Sequence, residues 1–163
     1  MVWKNLIDYE NKLEDTVFCN DRNILNLGGW DPNGGSTSFF LLFNSYNRNY
    51  DLSCKNNTDK FSKNNNKAKL KYPIGLLSAS EVLLAYYNAS YSDYYLNIGS
   101  WYILNTPYYY HIYGAYTGGI YSMGYLIYDN ANVIGGIRSS VSLKPEIEYA
   151  SGDGSFTNPF VIE

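Results

Sequence analysis

Histidine occurs once in the 163 residues, at His111, and cysteine twice, at Cys19 and Cys54. One imidazole and two thiols outside any Cys-x-x-Cys pair do not make a zinc site. No Gly-x-Ser-x-Gly elbow accompanies the histidine, so a serine–histidine triad has no support. Set among tyrosines, His111 reads as a contact residue rather than a base. Charge is scarce as well: charged residues make up 17% of the chain and the net charge is −3. With nothing to neutralise a row of phosphates, the balance argues against nucleic acid. No apolar run approaches the roughly eighteen residues of a membrane span, and the N-terminus lacks a signal-peptide pattern. Val2-Trp3-Lys4-Asn5 reads as the interior of a longer chain, so export or anchoring elements are expected upstream. In an exported protein Cys19 and Cys54 would pair, closing a long loop and stabilising the fold by about 3–4 kcal/mol. Otherwise they are two unrelated buried thiols.

Tyrosine is what the chain has in excess. Fourteen of the nineteen tyrosines fall between Tyr86 and Arg138, mixed with Asn, Ser, Asp and Gly. A buried phenol needs a hydrogen-bond partner, so so many of them predict exposure. Tyr with Ser, Gly and Asn is also the composition of antibody binding loops. The stretch therefore predicts a recognition surface. The plainer alternative is a tyrosine-rich sheet with an ordinary solvated face.

The length fits one domain over residues 1–163. Residues 3–14 space apolar groups as a helix does, and Val17-Phe18-Cys19 is extended. Gly28 to Gly35 is a loop; without a following Lys-Ser/Thr it is no phosphate cradle. Phe39 to Phe43 is a buried strand or one side of a short helix. Asn44 to Lys71 turns polar and predicts a long surface excursion, tied down only if Cys54 pairs. The sequons at Asn56 and Asn88 read as chance. Tyr72 to Leu77 is a short strand, and Ser78-Ala79-Ser80-Glu81 has the form of a capping box, with Ser78 or Ser80 as the cap. A strand over Ser100–Asn105 ends at Thr106-Pro107, because proline lacks a ladder donor. Tyr108 to Tyr113 then reads as a loop. Residues 112–128 are one or two strands broken by Gly118-Gly119 and Gly124, and 129–132 a turn. Gly135 to Leu143 alternates as one strand, and 151–162 is a turn with a closing strand. Period two places Trp101, Ile103, Ile137, Val141 and Leu143 inside. The pattern is α+β: short helices and loops to about residue 90, a twisted antiparallel sheet from about 91 to 163.

Trp101-Tyr102-Ile103-Leu104-Asn105-Thr106-Pro107, Gly136-Ile137-Arg138-Ser139-Ser140-Val141-Ser142-Leu143 and Gly152-Asp153-Gly154-Ser155 with Asn158-Pro159-Phe160-Val161-Ile162 carry a resemblance. With Tyr72 to Glu81 and the placing of the cysteines, they resemble the C-type-lectin-like domains of variable proteins of diversity-generating retroelements. Similar domains occur in pilin-like surface proteins of low-GC gut bacteria. The resemblance implies a C-type-lectin-like fold and a diversified stretch across 102–132. Ser139 stands where relatives often have proline, so that strand is expected to be paired rather than bulged. The cysteines that a formylglycine-generating enzyme needs in its C-terminal half are missing, as are the calcium-dependent sugar-binding motifs of lectins.

The candidate ligand-binding residues are Tyr102, Leu104, Tyr108, Tyr109, Tyr110, His111, Tyr113, Tyr121, Tyr125, Tyr128 and Asn130, expected to form one patch. Asp129, Asn130 and Asn132 offer oxygens for no more than a weak calcium site, and no metal, cofactor or catalytic residue is expected. The leading expectation is a non-enzymatic display or adhesion domain outside a bacterial cell, binding protein or glycan. The alternative is a structural pilin-like subunit that associates with copies of itself in a surface filament.

Overall fold

The strand that begins at Tyr102 does not stop at its proline. In the computed structural model, which describes residues 7–25, 35–37, 52–86, 95–155 and 157–162, it continues to His111. It is the centre of a six-stranded curled sheet. The strands are β1 (Ile24–Leu25), β2 (Gly35–Thr37), β3 (Tyr102–His111), β4 (Gly114–Ile120), β5 (Leu126–Asn130) and β6 (Gly136–Ile137). They lie in the order β1-β2-β3-β4-β5, antiparallel throughout, with β6 parallel to the first residues of β3. Pro107 is tolerated because the register slips around it. From Ile103 to Pro107 the strand takes four steps while its partner takes two, from Gly119 to Thr117. From Pro107 to Tyr109 it takes two against one, Thr117 to Tyr116. A residue at such a bulge needs no ladder N–H.

The groups freed by this irregularity are used elsewhere. The Thr117 hydroxyl is shared between the carbonyls of Leu104 and Thr106, at 3.3 and 3.1 Å. Thr106 Oγ1 accepts the N–H of Ala79 at 2.8 Å, and the Asn105 N–H reaches the Leu77 carbonyl at 2.9 Å. These bonds seat the helix α1 (Ala79–Tyr86) on the sheet. Its start is the capping box read from the sequence, with Ser78 as the cap: Glu81 N–H donates to Ser78 Oγ, and Ser78 N–H to Glu81 Oε2. Ala79 and Val82 pack with Leu96, Tyr102, Leu104, Tyr108 and Ile120 to form the core.

The α+β expectation is thus corrected. Strand predominates, α1 is the one complete α-helix among the described residues, and the expected C-type-lectin-like division into a helical half and a sheet half does not hold. The N-terminal part supplies β1 and β2 to the main sheet. Of the helix expected over 3–14, the described part is α-helical at Ile7–Asp8 and then a 3-10 turn at Glu10–Lys12. Leu13–Glu14 is already strand, paired with Ser142–Leu143, and Lys144 N–H donates to the Lys12 carbonyl. Buried Leu13 gains more from that pairing than from another helical turn. The polar stretch after residue 51 is tied down, as expected if Cys54 pairs. Lys60–Phe61 pairs with Phe18–Cys19, Cys19 is bonded to Cys54, and buried Asp59 receives Arg22 Nε at 2.9 Å. The readings for 28–34, 39–43 and the sequon at Asn88 lie outside the described residues.

The inner set is also shifted by one residue. Tyr102, Leu104, Thr106 and Tyr108 are buried, while Trp101 and Ile103 are half-buried. Ile137 and Leu143 are exposed and Val141 is half-buried. A tyrosine can face the core here because its hydroxyl has a partner: Tyr102 O–H donates to the Leu96 carbonyl at 2.9 Å. The same carbonyl accepts Arg138 Nη1 at 3.0 Å, and the guanidinium lies over the Tyr102 ring. Trp101 covers the other face. Its ring lies on Gly119, and the chain crosses back over it at Gly135, where a Cβ would stand 1.1 Å from Cζ3 of the indole. Beyond that crossing, the single strand expected from 135 to 143 is three short pieces with three partners. Gly136–Ile137 pairs with β3, Ser139–Ser140 with Gly75–Leu76, and Ser142–Leu143 with Leu13–Glu14. Ser139 is paired, as expected for a chain without proline there. The closing strand Val161–Ile162 pairs only with nearby Tyr149–Ser151.

Two stability outcomes follow from these contacts. Gly135→Ala should cost about 1–3 kcal/mol through overpacking against the indole, and Trp101→Ala should remove most of that cost. Denaturant unfolding of the two single variants and the double variant measures it; additive costs would mean that the ring is not under Gly135. Replacing Cys19 and Cys54 together by serine should lower stability by about 3–4 kcal/mol, read from the same unfolding curves with and without reductant. An unmoved midpoint would show that the two sulfurs are not joined.

Candidate recognition surface

Cross-strand register decides which tyrosines meet. Tyr102 pairs with Ile120 and Ile120 with Leu126; one step along the face Gly118 pairs with Tyr128; beyond it Tyr109 pairs with Tyr116 and Tyr116 with Asn130. Period two puts all of these on the concave face, His111 included. The bulge at Pro107 adds Tyr108 to the same side. The face therefore has two zones. Under α1 it is a sealed core; further along it is a tier of rings.

The tier is interlocked. Tyr109 and Tyr116 stack with centroids 4.5 Å apart and planes 4° from parallel. Tyr108 and Tyr128 stack at 4.1 Å, and Tyr109 meets Tyr108 edge-on at 5.2 Å. His111 lies 5.4 Å from each of the Tyr109, Tyr116 and Tyr113 rings. Stacked rings hide one another's faces, so the tier offers solvent mainly its edges and hydroxyls. What projects is the tip of the β3–β4 hairpin. There Tyr113 is 86% exposed and Ile112 64%, with Tyr110 at 40% beside them. His111 Nδ1 accepts the Tyr113 N–H at 2.9 Å.

The predicted patch is accordingly divided. Tyr109, Tyr110, His111, Tyr113, Tyr128 and Asn130 gather at the tier and tip. Tyr102, Leu104 and Tyr108 are buried at 2–3% exposure and cannot meet a ligand: Tyr102 and Leu104 are core residues of the expected strand, and Tyr108 lies on strand where a loop was expected after Pro107. Tyr121 and Tyr125 stack on each other at 5.4 Å beside the β4–β5 turn, which Gly124 makes with φ +93°. That turn is at the far end of β4 from Tyr113, about 20 Å away at the rise of a strand. Gly118-Gly119 does not break β4, and Asp129–Asn130 ends β5 rather than forming the turn. As successive strand residues those two point to opposite faces, so they do not converge on a cation. Among the described residues no group of three or more His, Cys, Asp or Glu side chains does. The described tyrosines omit Tyr46, Tyr50, Tyr87, Tyr91 and Tyr94.

Two residues of the surface were not selected from sequence. Tyr116 is defined by its pairing with Tyr109, which only the register reveals. Ile112 could have been noticed as an isoleucine between His111 and Gly114, where turn residues are ordinarily polar. Away from the sheet, a cleft of about 720 Å³ is lined by Asp8, Glu10, Asp15, Lys63 and Lys144. Two of its acids are engaged: Asp15 accepts the N–H groups of Lys63 and Asn64, and Glu10 pairs with the Lys63 ammonium, which raises the lysine's pKa. No family model, curated protein or solved structure matches the chain, so the surface is read from its own geometry.

The tier has a titration signature. Burial, then the Tyr116 phenol bonded to it and the phenols of Tyr128 and Tyr108, push the Tyr109 pKa above that of an ordinary tyrosine. A raised folded-state pKa gives stability that is whole below the ordinary phenol value of about 10 and lost as pH rises past it. Ultraviolet phenolate titration should show one late-ionising tyrosine fewer in Tyr109→Phe than in the wild type, with a shallower alkaline loss of stability in that variant. An unchanged number of late phenols in Tyr109→Phe would contradict the stacked pair.

Proposed function

We propose that this protein is a non-enzymatic recognition domain that works outside the cell and presents the β3–β4 hairpin tip to a protein partner. The observation that carries the reading is the contrast between Tyr113 with Ile112, which stand out in solvent, and the interlocked rings of Tyr109, Tyr116, Tyr108 and Tyr128 beneath them. Large aromatic side chains with few rotatable bonds, held on a stiff base, give contact area at low entropy cost. The tip is convex and joins an aliphatic side chain to phenols, which suits a concave apolar pocket on a protein better than the polar edge of a sugar. Glycan, the other ligand considered from sequence, is thus the less favoured. The Cys19–Cys54 bond supports an oxidising compartment.

A protein array and a glycan array probed with the wild type, with an Ile112→Ser/Tyr113→Ser variant and with Tyr121→Ser test this. Aromatic anchors lose about 2 kcal/mol or more on truncation, so the double variant should lose its protein partner while Tyr121→Ser keeps it. Folding stability should move by no more than about 0.5 kcal/mol in either, as at other exposed sites. A partner bound equally well by the double variant, or capture of nothing but further copies of the chain, would overturn the reading. The tyrosine beneath behaves differently: Tyr109→Ser should destabilise the fold because it dismantles the stack, so it is no clean probe of binding.

A further inference from the structure

The hairpin tip is held by a bond that a proton can break. Ile112 and Tyr113 form a two-residue loop between the paired His111 and Gly114. Such loops favour turns with left-handed central residues, whose twist matches that of the strands. Neither Ile112 nor Tyr113 has a positive φ. The loop has a side-chain tie in their place, the Tyr113 N–H donated to His111 Nδ1 at 2.9 Å. Nδ1 accepts only while it carries a lone pair, so the ring in this arrangement is neutral with its proton on Nε2. His111 is also the chain's single histidine.

We propose that His111 is a proton-operated latch on the recognition surface. Neutral, it fixes the backbone that presents Tyr113. Protonated, Nδ1 becomes a donor, the bond to the Tyr113 N–H is lost, and the tip is released from the pose the partner meets. The proposal rests on the reading of the tip as the contact surface. Tyr109 on the same strand, Tyr113 in the turn and Tyr116 on the facing strand are the titratable groups whose rings meet the imidazole among the described residues. Phenols ionise near pH 10 as a class, whereas histidine takes up its proton between about pH 5 and 8. Tyrosine rings beside the imidazole also accommodate its positive charge.

Nuclear magnetic resonance of the whole chain from about pH 8 to about pH 5, the range in which histidines titrate, tests the latch without any partner. The Tyr113 amide resonance should shift with the same midpoint as the His111 ring protons. In His111→Asn it should stay in place, because an asparagine oxygen can accept the N–H two residues on and does not titrate. Retention of the captured protein partner should fall over the same interval for the wild type and persist at the acid end for His111→Asn. A Tyr113 amide that stays still while His111 titrates, or that moves equally in His111→Asn, would overturn the proposal. Failure of the contact reading shows separately, as capture unchanged by Ile112→Ser/Tyr113→Ser, and leaves the amide titration to decide the latch.

Discussion

The irregular register around Pro107 is the constraint on which the sheet depends. An unbroken ladder from Tyr102 to His111 would need a donor that proline lacks and would send Tyr108 and Tyr109 to opposite faces. The slip removes the need for that donor and turns both rings to the concave side, where they meet Tyr128 and Tyr116. It also leaves carbonyls in a buried place, where unsatisfied groups are costly. Thr117 answers for the Leu104 and Thr106 carbonyls, and Thr106 and Asn105 bond to the chain at the start of α1. One irregularity thereby fixes the helix on the sheet at one end and gathers the tyrosines at the other.

The opposite face is closed by a second close approach. Gly119 lets the Trp101 ring lie flat on β4, and Gly135 lets the chain cross directly over that ring. With a side chain at Gly135 the segment from 136 to 143 would be displaced. It could then no longer join β3, the Gly75–Leu76 strand and the Leu13–Glu14 strand in turn. Arg138 anchors the same segment to the core through the Leu96 carbonyl and the face of Tyr102. Two-residue pairings are weak one by one. Strung along a single segment, they tie the N-terminal part to the sheet without a long ladder.

Local chemistry was legible in the sequence, and tertiary placement was not. The capping box at Ser78–Glu81, the turn at Gly124 and the strand start near Trp101 follow from residue types that act on their immediate neighbours. Pro107 misled because its missing N–H forbids a regular ladder but allows a bulge, and the sequence does not distinguish the two. The one-residue error in the core had a similar source. Counting apolar residues favours Trp101 and Ile103 over Tyr102, until the Leu96 carbonyl supplies the phenol with a partner from six residues away. At the surface, tyrosine abundance located the right stretch but not the right members. Whether a phenol is core, stack or tip is decided by register, and register is set by partners far along the chain.

The same face of the sheet thus serves two purposes, and tyrosine is the residue that permits both. Phenylalanine at Tyr109, Tyr116 and Tyr128 would stack as well, but the uncovered edges of the tier would then be hydrocarbon, a patch prone to indiscriminate association. Serine would be soluble and would support nothing. A phenol packs its ring and keeps a polar end for water or for a partner. Where α1 covers the sheet, the hydroxyl must find an acceptor inside, as Tyr102 does at the Leu96 carbonyl. Where the cover ends, the same side chain can stand half in solvent, and burial followed by the neighbouring phenols raises the Tyr109 pKa. The tip then needs little further ordering, because its base is already built. Its most exposed residues, Ile112 and Tyr113, stand clear of that base and should contribute little to folding.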